Sequence, residues 1–152
     1  MISISLDKGS YSPGESIRAT VTVRLDKPVR ARGIYARLVC NERKKVKVDR
    51  VMDQYDIDRR KELGVPHSTN IVTTTEERTR VWFEQEKKVA ESAEFYEGSY
   101  DVVFNLPSGA PPTSYEFGHD GMVHVWKMSV KLDIPLAPDE NDEIEVVVSG
   151  LI

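Results

Sequence analysis

Three histidines, one cysteine, 25 acidic and 21 basic side chains carry whatever chemistry this chain of 152 residues can do. His119 and His124 stand five apart with Asp120 between them, and His67 lies far upstream. Zinc needs three or four converging ligands, and no tight Cys/His pair supplies them. His124 shares the parity of Trp126 in an alternating stretch and reads as a packing residue. Cys40 becomes a nucleophile only beside a base or a helix terminus. Neither is signalled around it, so it reads as a buried strand cysteine. Asp53, Asp56 and Asp58 offer oxygen ligands for calcium, as does the run Asp139-Glu140-Asn141-Asp142-Glu143. Both lack the glycine and closing glutamate of an EF-hand loop and read as solvated loops. No spacing singles out a carboxylate pair for acid–base work. No Gly-rich phosphate loop or Gly-x-Ser-x-Gly elbow is present. The expectation is a protein with no catalytic residue, no metal and no cofactor.

The cations are the remaining candidates. Arg43-Lys44-Lys45-Val46-Lys47 and Arg59-Arg60-Lys61 are basic runs, a pattern that usually marks solvated surface. Arg18, Arg24, Arg30, Arg32, Arg37, Lys44, Lys45 and Lys47 fall on strands read as neighbours, where one face can align several of them. Arginine clusters grip phosphate through their planar fork. These eight are the candidate protein-binding residues, set against ordinary sheet-surface charge. The net charge of -4 and the pI of about 5.4 argue against a nucleic-acid partner, which needs a basic footprint.

Those side chains must be positioned by a fold, and the length suggests one domain, residues 1–152. Hydrophobic residues make up 39% and the mean hydropathy is -0.42, values of a soluble globular protein. No apolar run approaches the ~20 residues that span a bilayer. The start lacks a basic segment followed by an apolar block, so no secretory signal is expected. A single cysteine allows no intramolecular disulfide, which makes a reducing cytoplasm the expected location.

Period-two alternation, the mark of half-buried strands, recurs along the chain. It covers Ile2 to Leu6, Ile17 to Leu25, Ile34 to Cys40, Tyr100 to Phe104, Met122 to Ile134 and Ile144 to Val148. Val46, Val48 and Val51 mark a weaker strand, and another runs from Ile71 through Phe83. Asp26-Lys27-Pro28 reads as a hairpin-like turn. Tyr55 to Thr69 reads as a long charged loop with a short helix over Asp58–Leu63, and Val89–Phe95 is ambiguous, helical in composition but too short to be a stable helix alone. Eight or nine strands with prolines in the connections indicate an all-β fold, an antiparallel sandwich of two sheets.

Two proline-centred signatures order these strands. Tyr11-Ser12-Pro13-Gly14-Glu15 follows the first strand, and Pro13-Gly14 suits a type II turn. Some ninety residues on come Leu106-Pro107, then Pro111-Pro112-Thr113-Ser114-Tyr115, then the strand around Trp126. This succession resembles the amino-terminal domain of the arrestin superfamily, which includes the α-arrestins, the arrestin-like retromer subunit and the bacterial sporulation-control protein. The resemblance covers nearly the whole chain and about one lobe of a two-lobed arrestin. It implies an immunoglobulin-like sandwich that acts as a non-catalytic scaffold or adaptor in trafficking or signalling. It also implies basic concave surfaces that hold phosphorylated or acidic segments. A lobe without its neighbour leaves a sheet edge uncovered, so pairing with a second copy or a partner chain is expected. The other reading is a small-ligand or enzymatic sandwich with a pocket between its sheets.

Overall fold

A computed structural model describes residues 1–51, 54–64, 71–118 and 120–150, without the side chains of Arg50, Asp56, Ile71 and Val72. Asp53, His67, His119 and the Asp56 side chain, all considered above, lie outside the described residues. Seven strands and one helix follow in order: β1 (Ile2–Leu6), β2 (Ser16–Ala31), β3 (Gly33–Val51), α1 (Gln54–Glu62), β4 (Ile71–Ala90), β5 (Ala93–Asn105), β6 (Met122–Asp133) and β7 (Glu140–Val146). They form two antiparallel sheets, β1-β2-β5 and β4-β3-β6-β7.

Alternation decides which side of each strand is apolar, and the two apolar sides face each other. Ile17, Ala19, Val21 and Val23 of β2 meet Ile34, Ala36, Leu38 and Cys40 of β3 in one buried cluster. Phe104 of β5 joins it, with Trp126, Met128, Val130 and Leu132 of β6. The chain changes sheet at two adjacent corners, Arg32-Gly33 and Glu91-Ser92, since Ala31 pairs with Ala93 and Ile34 with Ala90. Gly33 is required there: its φ is +156°, and a Cβ would stand 2.7 Å from the Ala90 carbonyl oxygen.

Several expected boundaries move. β2 runs straight through Asp26-Lys27-Pro28, and its register against β5 shifts between Arg24 and Val29. A bulge absorbs these residues and tolerates the missing N–H of Pro28. The segment with Val46 and Val48 is no separate strand, because β3 continues to Val51 on β4. Val89–Phe95 is the β4–β5 corner: seven residues cannot hold a helix alone, and the flanking sheets claim their backbone. The helix begins earlier than expected, at Gln54.

The two proline signatures bind each other. Gly14 N–H donates to the Pro107 carbonyl at 3.1 Å, and Leu106 N–H donates to the Glu15 carbonyl at 2.9 Å. Gly14 has φ +85°, and Glu15 N–H closes the turn on the Ser12 carbonyl at 3.0 Å, as a type II turn requires. Glu15 accepts from Ser12 N–H and pairs with Lys8, at 2.5 Å. Tyr11 is buried, with its hydroxyl donating to Asp7 at 2.5 Å. The loop after Pro107 crosses this end of the sandwich: Pro111 accepts from the Trp126 indole, and Ser114 bonds the backbone of His124.

Side chains occupy the sheet edges at two places. Ile4 N–H on β1 donates to Asp142 Oδ2 on β7 at 3.1 Å, and Lys87 Nζ on β4 donates to the Val103 carbonyl on β5.

Candidate functional site

β6 accompanies β3 only from Gly33 to Lys44, with one more bond from Lys45 N–H to the Gly121 carbonyl. Beyond that point β3 and β4 continue alone as a two-stranded ribbon to Val51 and Ile71, with α1 following β3. Residues 41–81 hold ten of the 21 cations but eight of the 25 acids. The segment is therefore net positive while the remainder of the chain is strongly negative.

A polar row crosses the sheet where the ribbon begins. Glu42 on β3 stands opposite Arg80 on β4 and His124 on β6. Arg80 Nε donates to Glu42 Oε1 at 2.6 Å, and His124 Nε2 lies 2.8 Å from Glu42 Oε2. A carboxylate only accepts, so that imidazole nitrogen carries the proton. The Glu42 side chain is 6% exposed, whereas Arg80 is 67% exposed. The Arg80 guanidinium, then His124, holds the Glu42 carboxyl below its usual value, and Arg80 is raised in return. Beside this row, burial and then the Glu42 charge push the Cys40 thiol up to about 12, so it is not a thiolate nucleophile. Among the described residues no three His, Cys, Asp or Glu side chains come together as metal ligands.

Past the polar row the two ribbon faces diverge. Glu42, Lys44 and Val46 share one face with Arg80 and Arg78, and with Met122 they line a depression of about 400 Å³. On the other face Arg43 pairs with Glu77 at 3.2 Å, and Lys45 lies 4.5 Å from the centre of the Phe117 ring.

The eight candidate cations do not form one patch. Their strands were read as neighbours, but β2 and β3 lie in different sheets. Arg18, Arg24 and Arg30 are exposed on β2, and Arg32 sits at the corner, 3.8 Å from Asp133. Arg37 is on the outer face of the second sheet, 2.8 Å from Glu84, in a depression of about 370 Å³ shared with Tyr35 and Lys131. Only Lys44, Lys45 and Lys47 reach the ribbon, with Lys44 on one face and the other two opposite. Glu42, Arg78 and Arg80 were not singled out from sequence. Arg78-Thr79-Arg80 alternates and so shares a face, but what it faces depends on a register with residues nearly forty positions away. His124 has the expected inward parity, and its partner is a carboxylate rather than an apolar wall.

Known proteins share this fold. A family model described as arrestin (or S-antigen), N-terminal domain, matches residues 1–152. The chain belongs to the arrestin N-terminal domain family. Arrestin-type domains are generally scaffolds and adaptors rather than enzymes. The solved structure of the sporulation control protein Spo0M from Bacillus subtilis is similar, with a TM-score of 0.62 and 18% identity over 99% of this chain. The arrestin-like chain spans about half that structure, 49% of its length. No curated protein matches the chain. Among the described residues, no helix of this arrestin-like domain is long and apolar enough to cross a membrane.

Proposed function

We infer that this domain is a non-catalytic adaptor that holds an acidic segment of another protein on its β3–β4 ribbon, in a trafficking or signalling role. One observation carries the reading: the paired stretches 41–51 of β3 and 71–81 of β4 carry seven of the chain's 21 cations against four of its 25 acids, on a molecule that is otherwise acidic. Such a surface attracts acidic chains through space and is sensitive to salt. Among the described residues, Trp126, Phe104, Ile17 and Leu38 fill the space between the sheets, which favours the adaptor reading over a ligand pocket there. The depressions at the ribbon and at Arg37 are open on the surface rather than enclosed. Buried Cys40 and the absence of a second cysteine suit a reducing cytoplasm.

Affinity capture from native lysate tests this. The wild-type domain is expected to retain a partner that the double variant Lys44→Glu/Arg78→Glu loses and that raised salt releases. Equal capture by both proteins would refute the assignment to the ribbon.

A further inference from the structure

Leu136 stands fully exposed in a conformation that leucine seldom adopts. Pro135 and Leu136 form the centre of the turn between β6 and β7, and Leu136 has φ +57°. A side chain there crowds the backbone, so the second place of such a turn usually falls to glycine. At 105% exposure the leucine buries none of its apolar surface in return. The turn is nevertheless braced. Prolines occupy positions 135 and 138, and Ile134 N–H donates to Asp139 Oδ1 at 2.9 Å across the base. A fixed, protruding apolar residue meets a partner with little ordering left to do, which is how interface anchors act.

Charge and distance define the surface that receives it. Asp139 and Glu140 follow the turn, both exposed, whereas Asp133 before it has Arg32 at 3.8 Å. An apolar hollow with a basic rim is complementary to this turn, and an anionic lipid surface would repel it. The chain itself carries such a hollow. Val46 and Met122 line the ribbon depression of about 400 Å³, with Lys44, Arg78 and Arg80 around them. Glu76 and Glu42 answer Arg78 and Arg80 in part. The paired ribbon strands still hold seven cations to four acids. The hollow lies at the Met122 end of β6 and the turn at the Asp133 end. Twelve strand residues put roughly 35 Å between them, so the turn of one copy can reach only the hollow of another.

We propose that the β6–β7 turn of one copy docks in the ribbon depression of a second, with Leu136 on Val46 and Met122 and with Asp139 and Glu140 facing Lys44 and Arg78. The proposal rests on the reading of the ribbon as a receptor for acidic segments and names one occupant. The two surfaces differ, so the contact is heterologous. Each added copy leaves a turn and a hollow to be filled, and assembly grows past two.

Sedimentation of the whole chain over a wide concentration range tests this. The weight-average mass is expected to climb past that of a dimer and to fall when salt is raised. Leu136→Gly weakens association at least about tenfold, the factor carried by one buried leucine side chain. Its unfolding midpoint is no lower than that of the wild type, because the strain relieved outweighs the added freedom of the unfolded chain. Lys44→Glu/Arg78→Glu also stays monomeric. Mixed one to one, the two variants recover a complex that stops at two, since one supplies the hollow and the other the turn. A wild-type chain that remains monomeric, a mass that stops at a dimer, or a mixture without complex would overturn the docking. A lower midpoint in Leu136→Gly would show that the leucine packs on its own fold, and would overturn the anchor. A monomeric chain with ribbon-dependent capture from lysate refutes this contact and leaves the adaptor reading standing; self-association without ribbon-dependent capture does the reverse.

Discussion

Trp126 is fully buried, lies edge-on to Trp82 with ring centres 5.9 Å apart, and donates its indole N–H to Pro111 at 3.0 Å. Trp126→Ala should cost about 3–5 kcal/mol in chemical denaturation, and a loss below about 1 kcal/mol would contradict the packing described. Its burial was readable because parity repeats over the whole of β6. Glu42 was not readable in the same way. An acid inside a basic run looks solvated, and the partner that buries it is 82 positions away. Glu42 also makes a prediction about pH. Its folded pKa lies below the usual 4.5, so the unfolded chain binds the proton first as acid is added. The stability it contributes is complete above that usual value and is lost as pH falls through the folded pKa. Denaturation midpoints should drop on acidification, and Glu42→Gln should flatten part of that drop. The drop should not vanish, because Asp7 and Glu15 are lowered as well, by Tyr11 and by Lys8 respectively. An unchanged pH profile in the variant would show that the polar row contributes nothing.

Elements were easier to read than their limits. Alternation marked six of the seven strands, where one buried face imposes a period of two, and the expected count of eight or nine was too high because the Val46–Val51 segment is the continuation of β3. It could not find the bulge at Arg24–Val29, because Pro28 after Asp26-Lys27 has the composition of a turn. Nor could it show that β3 runs for 19 residues, because only the first part of that strand has an apolar face. This difference should appear in hydrogen exchange. Up to Lys44, β3 has a strand on each side, whereas beyond Lys45 it has β4 alone, and isolated two-stranded ribbons are marginal. Amides from Ile34 to Cys40 should exchange about a hundredfold or more slowly than those from Val46 to Asp49. Uniform protection along β3 would mean that another body covers the ribbon in solution.

At the scale of the whole molecule, the order of the two proline signatures was enough to indicate an arrestin-like sandwich. Their partnership explains why both are needed. Gly14 and Leu106 join the turn after β1 to the end of β5, and the loop beyond Pro107 then leads to His124 and the ribbon base. The cation cluster was harder to place, because eight basic residues in a row of strands say nothing about which sheet each strand enters. The crossing at Arg32-Gly33 divides them, and the ribbon collects Lys44, Arg78 and Arg80 instead. The central claim is that the ribbon is the working surface of this domain. Amine-reactive cross-linking of the captured complex, read by mass spectrometry, tests it most directly. Links to the partner should concentrate on Lys44, Lys45 and Lys47. Links concentrated instead on Lys8, Lys127 and Lys131, all on the body of the sandwich, would contradict the account.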